Sequence, residues 1–332
     1  MIAQRHALLP LRRLALLAAG CKGGVMNRTW QVFGLAAWLG AGCGKAPIPE
    51  QPPTYGHQPV AADQPVEYVF AVNPLHNPVR LFEIYQPLVD FINTQTKDFT
   101  LKLEASDNFA AFEDKLAHRT LHFVLPNPYQ TLQAEKTGYR VFAKRGDDEM
   151  FRGVILVRKD SGINQISDLK GAAISFPAPT ALAACLMPKY FMKQQGLDVD
   201  QEAKPLYVGS QESAIMNVYQ GQTKAGVTWL VPWLAFVKEK PELAETLILK
   251  WQTDSLPNNS LMVREDVPAP HWQKVRDLLL ALHTHDTGRV ILARMNLSRF
   301  DPATSATYEP VREFMKKYEA AFSPKAARGE TP

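Results

Sequence analysis

Residues 166–196 read ISDLKGAAISFPAPTALAACLMPKYFMKQQG, and this stretch decides the fold class of the chain. The short apolar run at 172–176 predicts a buried strand, which the prolines of the next loop end. Thr180 is predicted to be the N-cap of the helix that follows. A strand that feeds a helix N-terminus leaves backbone N–H groups without acceptors, and such groups bind anions. An ordinary strand–loop–helix unit without a ligand fits the same pattern.

The alternation of strands and helices continues on both sides of this stretch. Its order predicts an α/β fold whose sheets are mainly parallel and flanked by helices. Two extended segments, 151–159 and 259–264, are predicted to cross between two lobes. This division assigns residues 66–152 and 260–325 to lobe 1 and residues 153–259 to lobe 2. Ligands of such folds bind in the cleft where the carboxyl ends of the strands meet.

The basic charge of the chain is concentrated at its N-terminus. Residues 1–43 contain five Lys or Arg and no Asp or Glu, whereas the whole chain has 37 basic and 33 acidic side chains. The remainder therefore has 32 basic against 33 acidic side chains, a net charge of −1. Because binding to a phosphate backbone needs a positive surface, this balance argues against nucleic acid as a partner.

Residues 1–43 resemble two export signals in tandem. Each has a basic segment, an apolar run and small residues before a cysteine, which is Cys21 in the first and Cys43 in the second. Small residues before a cysteine resemble the lipobox of bacterial lipoproteins. We predict Cys43 as the lipidated residue, with Cys21 as the alternative and Met26 as a possible start. An uncleaved anchor is the other interpretation, although neither run reaches the roughly 18–20 residues of a spanning helix.

Residues 44–65 are rich in proline and predict a semi-extended tether between the leader and the folded part. If Cys43 is lipidated, Cys185 is the one cysteine left for the folded part, which excludes an internal disulfide. No nucleophile elbow, P-loop or dinucleotide fingerprint is present. His283 and His285 lack a third ligand for zinc. We therefore expect a protein that is not an enzyme and has no cofactor and no metal.

Several stretches resemble the substrate-binding proteins of phosphate, phosphite and phosphonate ABC importers, in the order of that family: 85–92, 121–129, 154–163 with 166–171, 209–214 and 221–226. The resemblance covers about residues 66–315. It implies a two-lobe periplasmic-binding-protein fold of type II, a small-molecule ligand, and an ABC permease and ATPase as membrane partners. It also implies a periplasmic or cell-surface location, to which the leader adds a lipid anchor, and we expect a monomer. A ligand sensor that partners a membrane kinase is the alternative.

The chain departs from this family where the ligand is bound. The anion loop of the family usually reads Ser-Thr-Ser-Gly, whereas the matching residues 179–182 here keep one hydroxyl, that of Thr180. Gln211 replaces a common histidine, and Trp229 stands where an acidic residue is frequent. These changes leave open whether the ligand is a phosphorus oxyanion or a less charged molecule.

The candidate ligand-binding residues are Tyr129, Thr180, Ala181, Gln211, Trp229, Tyr85, Asn127 and His76. Some have a second interpretation. Core packing explains Trp229 and Tyr85 equally well, and a solvated turn explains His76.

Overall fold

The computed structural model describes residues 65–323. The predicted leader, nearly all of the predicted tether and both candidate lipidation sites, Cys21 and Cys43, lie outside the described residues. Among the described helices, none combines the length and the apolar character that crossing a bilayer requires.

The described residues form eleven strands and eleven α-helices. The strands are β1 (Val66–Val72), β2 (Phe99–Glu104), β3 (Phe123–Leu125), β4 (Tyr139–Arg145), β5 (Arg152–Arg158), β6 (Ala173–Phe176), β7 (Lys204–Tyr207), β8 (Ala225–Trp229), β9 (Leu247–Ser255), β10 (Ser260–Arg264) and β11 (Phe300–Pro302). The helices are α1 (Pro78–Thr94), α2 (Phe109–Ala117), α3 (Pro128–Lys136), α4 (Met187–Gln194), α5 (Val199–Glu202), α6 (Gln211–Tyr219), α7 (Leu230–Glu239), α8 (Glu242–Thr246), α9 (Ala269–Ala281), α10 (Asp286–Arg294) and α11 (Glu309–Ala321).

The strands form two sheets, and the expected two-lobe α/β fold is confirmed. The sheet of lobe 1 has the order β11-β4-β10-β3-β1-β2, and that of lobe 2 has the order β7-β6-β8-β5-β9. The chain passes from the first sheet to the second between β4 and β5, and it returns between β9 and β10.

Most strands of each sheet run in one direction, as expected, but each sheet also contains antiparallel strands: β10 and β11 in lobe 1 and β5 in lobe 2. In lobe 1, β1 pairs parallel with β2 and β3, but β10 pairs antiparallel with β3 and β4. In lobe 2, β6 pairs parallel with β7 and β8, but β5 pairs antiparallel with β8 and β9. Strands β5 and β10 are the first strands after each passage between lobes. They are not tied to their neighbours by the helical crossover that parallel pairing needs.

Helix α1 shows how the local sequence sets an element and its buried face. Asn77 accepts a hydrogen bond from the backbone N–H of Arg80 (3.1 Å), and Pro78 occupies the first turn, where its missing N–H costs nothing. The helix then buries apolar residues that recur at helical spacing, namely Leu81, Ile84, Tyr85, Leu88, Val89 and Ile92.

The predicted N-cap at Thr180 is wrong, and the helix after β6 begins in an unusual way. It starts with a widened π turn, Leu182–Leu186, which continues without a break into α4. The N–H of Leu186 donates to the carbonyl of Ala181 (3.2 Å), and no side chain caps this end. The helix begins one residue after the predicted position, with Ala181 before its first turn, and Thr180 Oγ1 has no hydrogen-bond partner within residues 65–323. The Thr180 carbonyl accepts a hydrogen bond from Asn127 Nδ2 of lobe 1 (3.1 Å).

Candidate ligand-binding site

A small cavity lies between the two lobes, where loops at the strand ends of both sheets meet. A water-sized sphere can place its centre in only about 20 Å³ of this space, about the room that one water molecule needs, so the two lobes are in contact around it. The cavity is lined by Asn73, Leu75, Phe109, Asn127, Phe151, Ala181, Leu182, Ala183, Ala184, Gln211, Trp229 and Asn259. Its wall is therefore part amide, part apolar and part helix N-terminus.

Two asparagines of the cavity wall have side-chain amides without a partner. Asn73 follows β1, and its backbone N–H donates to Leu125 O (3.0 Å). Asn259 precedes β10, and its carbonyl accepts from the N–H of Arg145 (2.9 Å). Both residues are 0% exposed, and within residues 65–323 neither amide atom of either side chain has a hydrogen-bond partner. A buried polar group left unpaired costs roughly 1–3 kcal/mol, so such groups indicate a binding role.

Gln211 presents a third amide to the cavity from the first turn of α6. Ser210 caps this helix by accepting from the N–H of Ser213 (3.1 Å), which fixes where Gln211 lies. The carbonyl oxygen Oε1 of Gln211 accepts a hydrogen bond from the buried hydroxyl of Thr228 (2.7 Å). The side chain is thereby turned so that its Nε2 remains available as a donor.

The widened turn Leu182–Leu186 supplies backbone donors to the same cavity. Among the backbone hydrogen bonds outside the helix, none has the N–H of Leu182, Ala183, Ala184 or Cys185 as its donor. Unpaired N–H groups and the helix dipole favour negative charge at this end. Together with the two unpartnered asparagine amides, they make a cradle suited to a small oxyanion.

Gly153 allows this helix start to lie directly on β5. A Cβ atom at Gly153 would come within 2.3 Å of the carbonyl oxygen of Ala183 and within 2.5 Å of Pro188 Cγ. The glycine N–H donates to Thr253 Oγ1 (3.0 Å), which anchors β5 at this point. The position of the turn at the cavity thus depends on the absence of a side chain.

Three polar contacts join the two lobes around the cavity. Asn127, the N-cap of α3, reaches the carbonyl of Thr180. His76 Nδ1 lies 2.8 Å from Glu212 Oε1. Arg80 of α1 forms an ion pair with Glu239 of α7. Each contact requires the closed arrangement, because its partners belong to different lobes.

The structure brings Asn127, Ala181, Gln211 and Trp229 together at the cavity, but not the other candidates. Tyr129 and Thr180 line a separate groove between α3, α11 and the loop after β6. Tyr85 is 1% exposed and packs in lobe 1, where its hydroxyl accepts from Arg145 Nη1 (3.1 Å). His76 lies beside the cavity as one partner of an interlobe contact.

Asn73 and Asn259 were not among the residues predicted from the sequence. One signal was present for Asn73, because it directly follows a strand end in the loop that contains His76. Asn259 is the first residue of the predicted crossing segment 259–264, and nothing local separates it from the adjacent Asn258. Asn258 has a structural role, since its Nδ2 donates to Gly146 O (2.8 Å).

The His76–Glu212 contact predicts an acid-sensitive contribution to stability. Burial alone raises the pKa of Glu212, but the hydrogen bond and charge of His76 outweigh it and hold the pKa below the ordinary 4.5. Because the folded-state pKa is depressed, ionised Glu212 stabilises the protein above pH 4.5, and this contribution is lost as the pH falls through the folded-state pKa.

We therefore expect Glu212→Gln to lower stability by roughly 1 kcal/mol at pH 6, with the difference from the parent shrinking towards pH 3.5. Thermal unfolding of the parent and of the Glu212→Gln variant between pH 3.5 and pH 6 measures this difference in stability. Asp114→Asn, at an exposed pair with His118, serves as the control because its partners are both 70% exposed. A difference that stays constant over the whole range would contradict the assignment.

Comparison with known proteins gives the family. The family model described as "ABC transporter, phosphonate, periplasmic substrate-binding protein" matches residues 70–308. A probable ABC transporter phosphite binding protein, PhnD1 of Prochlorococcus marinus (strain MIT 9301), is 26% identical over 190 residues, which are 53% of this chain. The chain spans 64% of the length of that curated relative.

Solved structures show the same fold. The structure of PhnD1 from Prochlorococcus marinus in complex with methylphosphonate has a TM-score of 0.70 and 22% identity, covering 76% of this chain and 98% of that chain. The binding protein component of an ABC phosphonate transporter from Pseudomonas aeruginosa has a TM-score of 0.72 and 18% identity, covering 80% and 93%.

Two α/β lobes that meet at a small buried cavity have the same fold as these periplasmic binding proteins. The chain belongs to the family of periplasmic substrate-binding proteins of phosphonate ABC transporters.

Proposed function

We propose that this protein is the extracytoplasmic solute-binding component of an ABC importer and that its ligand is a small phosphorus oxyanion. The observation that supports this most directly is the pair of buried, unpartnered amides of Asn73 and Asn259 beside the helix start at Leu182. Amide N–H₂ groups and unpaired backbone N–H groups are the donors that the oxygens of such an ion need.

The proposed mechanism is capture by closure of the two lobes. A ligand that enters the open cleft meets Asn73 and Asn259 from one side and Gln211 and the helix start from the other. Since it contacts both sides at once, it stabilises the closed state selectively. The hinge lies at the two passages between the sheets, 145–152 and 255–260, as the predicted lobe boundaries require. The closed protein then presents its ligand to a membrane permease and its ATPase.

The second part of the proposal concerns how the protein is attached to the membrane. We propose that Cys43, or alternatively Cys21, carries a lipid that holds a monomeric protein at the outer side of the cytoplasmic membrane or at the cell surface. Residues 44–65 then act as the tether. Radiolabelled palmitate should be incorporated into the parent chain and lost in one of the two variants, Cys43→Ser or Cys21→Ser.

Calorimetric titration of the full-length chain tests the ligand assignment. We expect methylphosphonate, phosphite or phosphate to bind, and we expect Asn73→Leu and Asn259→Leu each to weaken that binding by about 10–150-fold, the equivalent of a charged hydrogen bond of roughly 1.5–3 kcal/mol. The melting temperature without ligand should stay level or rise, because each change removes a buried unpaired amide.

Asn217→Leu is the matched control, since Asn217 lies on α6 outside the cavity wall and should bind ligand like the parent. The proposal fails if no phosphorus oxyanion binds. It also fails if both leucine variants bind as well as the parent.

A further inference from the structure

We infer that the cavity selects its oxyanion in the singly charged, protonated form, with an asparagine carbonyl accepting a hydrogen bond from the O–H of the ligand. This inference rests on the proposed function and concerns the protonation state of the ligand. It follows from the charge of the cavity wall and from its count of donors and acceptors.

The described cavity wall carries no ionisable side chain. Its twelve lining residues are amides, aliphatic residues and aromatic residues. Titratable side chains near the lining residues include His76, Asp107, Arg145, Asp148, Arg152 and Glu212. His76 is paired with Glu212, and Asp148 is paired with Lys144. Arg145 donates to Tyr85 and to the carbonyl of Met295, Arg152 Nε donates to the carbonyl of Glu149, and Asp107 is exposed. Among residues 65–323, no Lys, Arg or His lines the cavity, so none is in place to balance a second negative charge, and a doubly charged ion is disfavoured there.

The wall offers acceptors as well as donors. Each unpartnered amide, that of Asn73 and that of Asn259, carries one N–H₂ group and one carbonyl oxygen. Whichever way the amide is turned, one of its two ends is an acceptor that needs a donor from the ligand. Ligand oxygens without hydrogen cannot satisfy it. A P–O–H group can, because it donates one hydrogen bond.

Gln211 differs from the two asparagines in this respect. Its carbonyl oxygen is already occupied by Thr228 (2.7 Å), and only its N–H₂ group is left for a ligand. Asn127, the fourth amide of the wall, likewise already accepts a hydrogen bond, from the N–H of Gln130 (3.0 Å). The wall therefore contains two amides with a carbonyl that lacks a donor, those of Asn73 and Asn259, and two whose carbonyl already has one. This difference provides an internal control.

The expected selectivity separates ions of similar shape. Methylphosphonate near pH 5.5 has one charge and one O–H, whereas methanesulfonate has one charge and no O–H. A site built to bond a hydroxyl rejects an analogue that lacks it, since its own polar groups are left unpaired. We expect methylphosphonate to bind at least about 100-fold more tightly than methanesulfonate at this pH. Its affinity should fall about tenfold for each pH unit above the second pKa of the ligand.

The test is calorimetric titration of the full-length chain with both ions, at pH 5.5 and across a pH series. The readout for the variants is the ratio of the two affinities. One of the two variants, Asn73→Leu or Asn259→Leu, removes the carbonyl that accepts the hydrogen bond from the ligand O–H. That variant should bring the ratio of the two affinities towards 1. Gln211→Met should weaken both ions and keep the ratio. A purely structural role of the asparagines would lower both affinities equally.

The outcomes distinguish this inference from the proposed function. If neither ion nor any other phosphorus oxyanion binds, the proposed function itself fails. If methylphosphonate and methanesulfonate bind equally well, or if methylphosphonate binds as tightly far above its second pKa, the protein is still an oxyanion-binding protein but the inferred selection of the protonated form is wrong.

Discussion

Replacing Trp229 with alanine should lower the free energy of unfolding by about 3–5 kcal/mol, the usual cost of removing a large buried aromatic side chain. Trp229 ends β8, is 4% exposed, and packs its ring against Phe151 with centroids 5.4 Å apart. The same ring borders the cavity, so its removal also enlarges the space that the ligand should fill. We expect the melting temperature to fall by roughly 6–20 °C and the affinity for the ligand to fall by at least about tenfold.

Differential scanning calorimetry and titration of the same samples measure the two effects. Trp229→Phe is the control because it keeps an aromatic contact with Phe151 and should recover most of both losses. Core packing and ligand contact were both open interpretations of Trp229, and the experiment separates them. A large loss of stability with unchanged affinity in the folded variant would leave packing as its sole role.

The second large effect is expected at Gly153. A valine there would drive its side chain into the carbonyl of Ala183 and the ring of Pro188, at distances of 2.3 and 2.5 Å from its first carbon. Because both atoms belong to the helix start, the helix must move away from β5 and from the cavity. We expect Gly153→Val to destabilise the protein by about 1–3 kcal/mol and to weaken ligand binding by more than about tenfold.

Gly288→Val provides the comparison. A Cβ atom at Gly288 would lie 1.8 Å from the carbonyl of Leu282, so this change also overpacks the protein, but in lobe 1 and outside the cavity wall. We expect it to lower the melting temperature and to leave the affinity of the folded protein unchanged. If both variants bind ligand like the parent, the helix start does not belong to the site.

Local sequence patterns were sufficient for most of the elements. The strand predicted at 172–176 is found at Ala173–Phe176, and the extended segments predicted at 151–159 and 259–264 contain Arg152–Arg158 and Ser260–Arg264. These elements depend on short apolar runs and on the residues that end them, which act between positions close along the chain. The family resemblance added the two-lobe arrangement, which the sheets confirm.

The candidate site was predictable only in part. Ala181, Gln211 and Trp229 were found through their positions in family motifs, and Asn127 through its place in the family stretch 121–129. Tyr85 shows why the rest of the site could not be predicted from the sequence. Its position on α1 is compatible with a side chain buried in the core and with one that faces the ligand cleft. In the structure the side chain is buried, and its hydroxyl accepts a hydrogen bond from Arg145. Nothing in the local sequence distinguishes the two environments.

The sequence by itself therefore determined which segments are strands and helices, which faces they bury, and where the basic charge lies. The tertiary structure alone decided the antiparallel pairing of β5 and β10, the hydrogen bond from Asn127 to the carbonyl of Thr180, and the meeting of Asn73 with Asn259 at one cavity. The physical reason is distance along the chain. Contacts such as Asn127–Thr180 and His76–Glu212 join residues 53 and 136 positions apart, and form only when the lobes come together.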